Sequence, residues 1–157
     1  MDSGCKFAII DEKKYFTKGC ILVSNVKFCL QQLATFHRNK LSIPVIGITG
    51  SNGKTTTKEL IHSVLSIQYN CFATKGNLNN QIGVPISVLE INNNHEIAVI
   101  EMGASEQGEI EKLCNIAKPD TGIITNVGLA HLEGFGSFQG VIQAKTELYN
   151  FIKKIRE

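Results

Sequence analysis

The sequence carries no marked excess of either charge: 16 Lys and Arg stand against 14 Asp and Glu, a formal charge of +2. So small a balance is too little to indicate a surface built to track nucleic acid. The basic closing run FIKKIRE is short and reads as a solvated helix end, its lysines well placed against the helix dipole. No run approaches the ~18 apolar residues of a membrane-spanning helix. The opening MDSGCKFAIIDEKK has acidic residues and only a brief apolar stretch, unlike a secretory signal. Five cysteines, Cys5, Cys20, Cys29, Cys71 and Cys114, form no C-x-x-C pair and are odd in number. That speaks against a zinc knuckle and against a complete disulfide framework, so a reducing, cytoplasmic setting is expected. Internal repeats and low-complexity segments are absent as well.

What is present suits a globular α/β unit. A chain of 157 residues, 43% of them hydrophobic, can remove about 70% of its unfolded surface from water. KFAII and CILVS predict two short strands separated by a turn in DEKKYFTKG. Asn25 predicts the cap of a helix carrying Val26, Leu30 and Leu33, which Ser42 and Pro44 end by Leu41. From Pro44 onward a βα rhythm sets in. The buried strands VIGIT, CFAT, EIAVIE and TGIITN alternate with helices over Lys54 to Tyr69, Gln81 or Ile82 to Leu89, Glu109 to Ala117 and Phe138 to Ile155. GLAHLEGFGS reads as a glycine-rich loop. The fold expected is a P-loop-containing α/β domain, a mostly parallel sheet with helices on both faces, preceded by a small α+β segment. Because the last predicted helix finishes at the terminus, this domain is expected to be incomplete.

The stretch ITGSNGKTTTKEL carries the sharpest chemistry. A strand delivers the chain to Gly50, Ser51, Asn52 and Gly53, whose glycines permit a tight turn, and a helix then offers unpaired N–H groups and its positive dipole end. Lys54 adds a mobile cation for the outer phosphates of a nucleotide, and Thr55, followed by Thr56, places a hydroxyl suited to a hard Mg²⁺ ion. The strict G-x-x-x-x-G-K-[ST] string would require glycine at Ile48; Gly47 lies one residue too early, so the loop is a relative of the standard form.

Other residues join this site by position. Glu101 ends the EIAVIE strand, at the strand end where such sheets bind ligands, and its carboxylate could complete a Mg²⁺ shell. His131, in the loop after TGIITN, could bind a second divalent ion or lie idle at the surface. Asn77, Asn79 and Asn80 read either as plain turn formers or as contacts to a polar, sugar-like or diphosphate-bearing substrate. Lys145 reads from its helix as a solvent-facing lysine, paired with Glu147 or free.

Taken together, GITGSNGKTTTKEL, ATKGNLNNQIGVPISVL, AVIEMGASEQGEIEKLC and ITNVGLAHLEGFGSFQGVIQAKTEL resemble the Mur ligases, ATP-dependent amide-forming enzymes of peptidoglycan synthesis. GNLNNQIGVP and AHLEGFGS favour the type that joins D-alanyl-D-alanine to UDP-N-acetylmuramoyl-tripeptide, over other Mur-type ligases such as folylpolyglutamate synthase. The resemblance implies a three-domain parent, with residues 1–40 the end of its UDP-substrate-binding domain and 41–157 the first part of its central ATP-binding domain. It implies that the Lys54 loop holds the phosphates of ATP and that Thr55 and Glu101 hold a first Mg²⁺. His131 goes with a second ion, and Asn79 and Asn80 lie near the substrate. Lys145 matches a lysine that the family can carry as a carbamate, an anionic Mg²⁺ ligand. The implied chemistry is activation of the tripeptide carboxylate as an acyl phosphate, then attack by the dipeptide amine. The full enzyme is expected to be monomeric. The 157-residue chain by itself is expected to lack ligase turnover and to associate through an uncovered sheet edge. The alternative from another class is a non-catalytic nucleotide-binding fragment of a split or truncated gene. A P-loop kinase or GTPase is disfavoured, since the guanine-reading N-K-x-D string is missing.

Overall fold

The structure, a computed structural model, describes residues 4–128 and 132–157. Two short strands, β1 (Ala8–Ile10) and β2 (Cys20–Leu22), lead into α1 (Val26–Arg38). The alternating part follows as β3 (Val45–Thr49), α2 (Lys54–Leu65), β4 (Cys71–Ala73), α3 (Gly83–Glu90), β5 (Ile97–Glu101), α4 (Glu109–Ala117) and β6 (Thr121–Ile124). It closes with α5 (Leu132–Phe135) and α6 (Phe138–Arg156).

Among the described residues β3 to β6 form one parallel sheet in the order β4-β5-β3-β6. Strict alternation along the strands sorts its two faces. Val45, Phe72, Ala98, Ile100 and Ile124 point to one side, where Val84 of α3, Ile110 and Leu113 of α4 and Leu148 of α6 complete a core. Ile46, Ile48, Cys71, Val99 and Ile123 point to the other, where Ile61 and Leu65 of α2 cover them. The expected α/β sheet with helices on both faces is what forms.

Three local expectations are corrected. β1 and β2 pair in parallel rather than across a simple turn; a 3₁₀ turn at Lys13–Tyr15 lies in the crossover between them. α2 stops at Leu65, because Ile67, Gln68 and Tyr69 fold back through bonds to Val64 and Leu65 carbonyls. The GLAHLEGFGS loop contains the single-turn helix α5. α1 begins as expected, with the Asn25 side chain accepting the Phe28 N–H at 2.7 Å, and it buries Ala34 in the larger core.

Gly47, out of step with the P-loop string, has a packing role. It stands opposite Gly122 in the β3–β6 register. A Cβ on Gly47 would lie 2.5 Å from Met102 Cε and 3.2 Å from Leu148 Cδ1; one on Gly122 would lie 2.6 Å from Ile152 Cδ1 and 2.8 Å from Leu148 Cγ. The paired glycines thus let α6 settle directly onto the sheet through Leu148 and Ile152, with Lys145 one turn earlier on the helix. No described helix is long and apolar enough to cross a membrane.

Gly122→Ala should destabilise the fold by about 1–3 kcal/mol, the usual range for overpacking a filled core. The check is a drop in the urea midpoint at unchanged m-value.

Candidate functional site

The buried β3 strand ends at Thr49, and the next four residues make a sharp loop into α2. Gly50 has φ 143° and Gly53 φ 74°; both lie where an L side chain is strained. At Gly50 space excludes one too, since a Cβ would meet Thr125 Oγ1 at 2.0 Å. The first intrahelical bond of α2 runs from Thr57 N–H to Gly53 O at 2.9 Å. The N–H groups of Lys54, Thr55 and Thr56 therefore stand ahead of the helical ladder at its positive end. Lys54 folds over the loop, its ammonium donating to Gly50 O at 2.9 Å and Ser51 O at 3.3 Å.

Ser51 and Asn52 are engaged differently from Lys54. The Ser51 N–H donates to Asn126 O at 3.1 Å, and the Asn52 N–H to Asn126 Oδ1 at 3.0 Å. Thr125 Oγ1 donates to Asn52 O at 2.6 Å, and Ser51 Oγ and the Gly128 N–H complete a second tie at 2.9 Å. The crown of the loop is thus moored to the segment after β6, which leaves the α2 amides and Lys54 as its anion-facing donors. Thr125 and Asn126 escaped the sequence reading as site residues. It counted both into the TGIITN strand, whereas β6 stops at Ile124 and leaves them to bind the loop.

Glu101 ends β5 beside this loop, in register with Ile48 of β3. It is 1% exposed. Its Oε1 accepts the Asn79 side-chain N–H at 2.7 Å, whereas Oε2 is buried with no hydrogen-bond partner among the described residues. A buried carboxylate with one oxygen satisfied and one bare suits a hard divalent cation, which takes one or two carboxylates and fills its shell from phosphate and water. Thr55 is exposed at the first turn of α2. No cluster of three or more His, Cys, Asp and Glu occurs among the described residues. His131 lies outside them.

The two asparagines divide their work. Asn79 bridges to Glu101 and accepts the Gly103 N–H at 2.7 Å. Asn80 Oδ1 accepts the N–H groups of Ile82 and Gly83 at 3.0 and 2.9 Å and so holds the entry to α3. Both border a cleft of about 250 Å³, with Lys54 on the loop side and Lys145 opposite.

Lys145 corrects the reading made from its own helix. It is 2% exposed rather than solvent-facing. Glu147 does not pair with it; that carboxylate accepts the Gly108 N–H at 2.6 Å and the Glu111 N–H at 2.9 Å, at the start of α4. The Lys145 amine instead lies 3.5 Å from Ala104 O and 5.2 Å from the Phe135 ring centre. Burial, followed by the nearby Lys54 charge, lowers its pKa to about 8 against the opposing pull of Glu147 and Glu109. Glu109, on the cleft wall, is saturated by Ser105, Glu106 and Gln81. Burial pushes its carboxyl up, but these bonds outweigh that and hold it below the usual range.

The Mur ligase middle domain family matches residues 48–156. The chain is similar to the UDP-N-acetylmuramoyl-tripeptide--D-alanyl-D-alanine ligase of Bacillus subtilis (strain 168), 50% identical over 134 residues, 85% of this chain and 29% of that protein. It is similar to the ligase of the same description from Escherichia coli (strain K12), 40% identical over 130 residues, 83% of this chain and 29% of that one. The chain therefore spans under a third of the length of these curated relatives. Among solved structures it resembles MurF from Acinetobacter baumannii, with TM-score 0.91, 40% identity, and 96% of this chain and 34% of that one covered. It also resembles the MurF ligase of Thermotoga maritima in complex with ADP, with TM-score 0.89, 38% identity, and 97% and 36% covered.

The Lys145 shift has a signed consequence for stability. Between about pH 8 and the ordinary lysine value of 10.5 the unfolded chain holds a proton that the folded chain has released. Stability therefore gains with rising pH across that window, and the full cost of the buried charge applies below it. Urea midpoints of the wild type should climb relative to Lys145→Met from pH 8 to 10.5. A constant difference between the two would contradict the shift.

Proposed function

Since the chain belongs to the Mur ligase middle domain family, we propose that it is the nucleotide-handling part of an ATP-dependent carbon–nitrogen ligase. The substrates proposed are UDP-N-acetylmuramoyl-tripeptide and D-alanyl-D-alanine, joined during peptidoglycan precursor synthesis. Ligases of that description share 40 to 50% of its residues over most of its length. Residues 1–40 would close the domain that holds the UDP end of the substrate, and residues 41–157 would open the ATP-binding one. The five free cysteines fit a reducing cytoplasm.

The observation that carries the reading is the half-satisfied Glu101 carboxylate next to a lysine-bearing loop that exposes the start of a helix. The amides of Lys54 to Thr56 would bind phosphate oxygens, and the Lys54 ammonium would exchange its loop carbonyls for the terminal phosphate. Glu101 and Thr55 would hold a magnesium ion, which when bound neutralises charge on the phosphoryl group being transferred. Asn79, gripping the other carboxylate oxygen, would keep Glu101 aimed.

The overall reaction balances as two displacements. A carboxylate oxygen of the tripeptide bonds to the γ-phosphorus as the bond to ADP breaks; the dipeptide amine then bonds to the acyl carbon, loses a proton and expels phosphate. The phosphate step is needed because a bare carboxylate is a poor electrophile.

Lys145 fits its implied carbamate. Its lowered pKa, about 8, leaves part of the amine neutral near physiological pH. A neutral amine nitrogen can attack carbon dioxide and release a proton, converting a cation on the cleft wall into an oxygen ligand. With ¹³C-bicarbonate, a carbamate carbon resonance should appear in the wild type and vanish in Lys145→Met.

For the site itself, Lys54→Met should weaken ADP binding about tenfold or more, the loss of a charge-assisted hydrogen bond. Glu101→Gln should spare binding in EDTA and remove the gain that Mg²⁺ brings. Fluorescence titration with a labelled nucleotide reads both. Equal nucleotide affinity in wild type and Lys54→Met would refute the assignment.

A further inference from the structure

Lys58 lies one turn beyond Lys54 on α2, outside the cleft, and the reaction above gives it no task. It is the bulkiest of the fully buried side chains among the described residues, 0% exposed. Its ammonium donates to Thr74 O at 2.6 Å and approaches Glu59 Oε1 at 2.8 Å, a carboxylate that is itself 58% exposed. Burying an ammonium is costly unless its protons are matched, and a methionine would fill similar space without that cost. The charge is matched by one surface carboxylate and one buried carbonyl, and the carbonyl is the partner that leads into the site.

Thr74 is the residue at which β4 gives way to the asparagine loop, and it is 1% exposed. Its N–H donates to Val99 O at 3.0 Å. Its Oγ1 accepts the backbone N–H of Glu101 at 3.0 Å. The loop that follows carries Asn79, which returns to the Glu101 side chain. Lys58, Thr74, Glu101 and Asn79 form a continuous chain of hydrogen bonds, and its two ends lie on different elements of the site.

We propose that Lys58 is a positioning residue: by clamping Thr74 to α2 it fixes Glu101 and the Asn79 loop at a set distance from the phosphate-facing end of the same helix. The proposal rests on the nucleotide and magnesium reading given above. Lys54 and Lys58 are separated by about 6 Å of rigid helix. One helix thus grips the phosphates with its first turn and the strand end that holds the metal-facing carboxylate with its second. Disturbing the clamp would leave the anion-facing amides intact and spoil the placement of the cation.

The test uses the chain itself, with Lys58→Met, Thr74→Val and Thr74→Ser. ADP binding is measured in EDTA, and Mn²⁺ binding to the ADP complex is followed by electron paramagnetic resonance. Lys58→Met and Thr74→Val should bind ADP in EDTA within about twofold of wild type yet lose about tenfold or more in Mn²⁺ affinity, whereas Thr74→Ser, which keeps the acceptor oxygen, should stay within about threefold. Unchanged Mn²⁺ affinity in folded variants would overturn the proposal, as would a loss of ADP affinity that is equal with and without the ion. If Lys58→Met does not fold, Lys58→Gln, which removes the charge and shortens the reach to the Thr74 backbone carbonyl, takes its place under the same criteria; the Thr74→Val and Thr74→Ser pair tests the next link, from Thr74 Oγ1 to the Glu101 N–H. A wild type that binds no ADP would remove the functional reading and this inference together; a wild type that binds both, beside variants that match it, would remove this inference alone.

Discussion

The bond from the Asn79 side chain to Glu101 Oε1, 2.7 Å long, joins the loop after β4 to the end of β5 and leaves the second carboxylate oxygen bare in the interior. Much of the site follows from it. A buried carboxylate is tolerated when its oxygens are matched, and here the described residues match only one. The loop that supplies the match cannot drift, because its root at Thr74 is tied to Glu101 N–H and to Lys58. The same loop passes on to Asn80, which starts α3. A charge held in this way keeps its direction without needing the ion in place, which is what preorganisation of a metal position requires.

The opposite wall depends on space rather than on charge. Two small residues in register, Gly47 and Gly122, let Leu148 and Ile152 press against the sheet. α6 is thereby lowered until Lys145 is buried at the cleft, near Phe135 and the Ala104 carbonyl. The lysine's altered basicity is a product of that packing, since burial is its first cause and the Lys54 charge its second. Seating of a helix and tuning of an amine are consequences of the same pair of missing side chains.

Between these walls the Lys54 loop is moored on its far side. Asn126 takes the amides of Ser51 and Asn52, and Thr125 takes the Asn52 carbonyl. That leaves the loop with its back to β6 and its helix end toward the cleft. A glycine turn of this tightness would otherwise have many accessible shapes, and the β6 segment selects one.

Local rules were enough for a good deal of this. Periodicities of two and near four separated strands from helices from Val45 onward, Asn25 announced its cap, and VIGIT-x-x-x-GKT joined a buried strand to an anion-facing helix. Lys54, Thr55 and Glu101 could be nominated because their chemistry depends on neighbours in the chain: a turn, a helix start, a strand end. Partners brought from far along the chain were not legible. Lys145 looked exposed since its helix is amphipathic, and only the glycines of two distant strands show why it is buried. Lys58 drew no reading at all, because its match is the Thr74 carbonyl at the end of another strand, and Asn126 was counted into the TGIITN strand, which stops at Ile124. The sequence by itself determined the elements, their alternation and the phosphate-facing loop, all governed by interactions within a few residues. Tertiary structure alone decided which side chains lost their water and which oxygen was left unpaired, because burial and hydrogen-bond matching are properties of surfaces that meet only when the chain has folded.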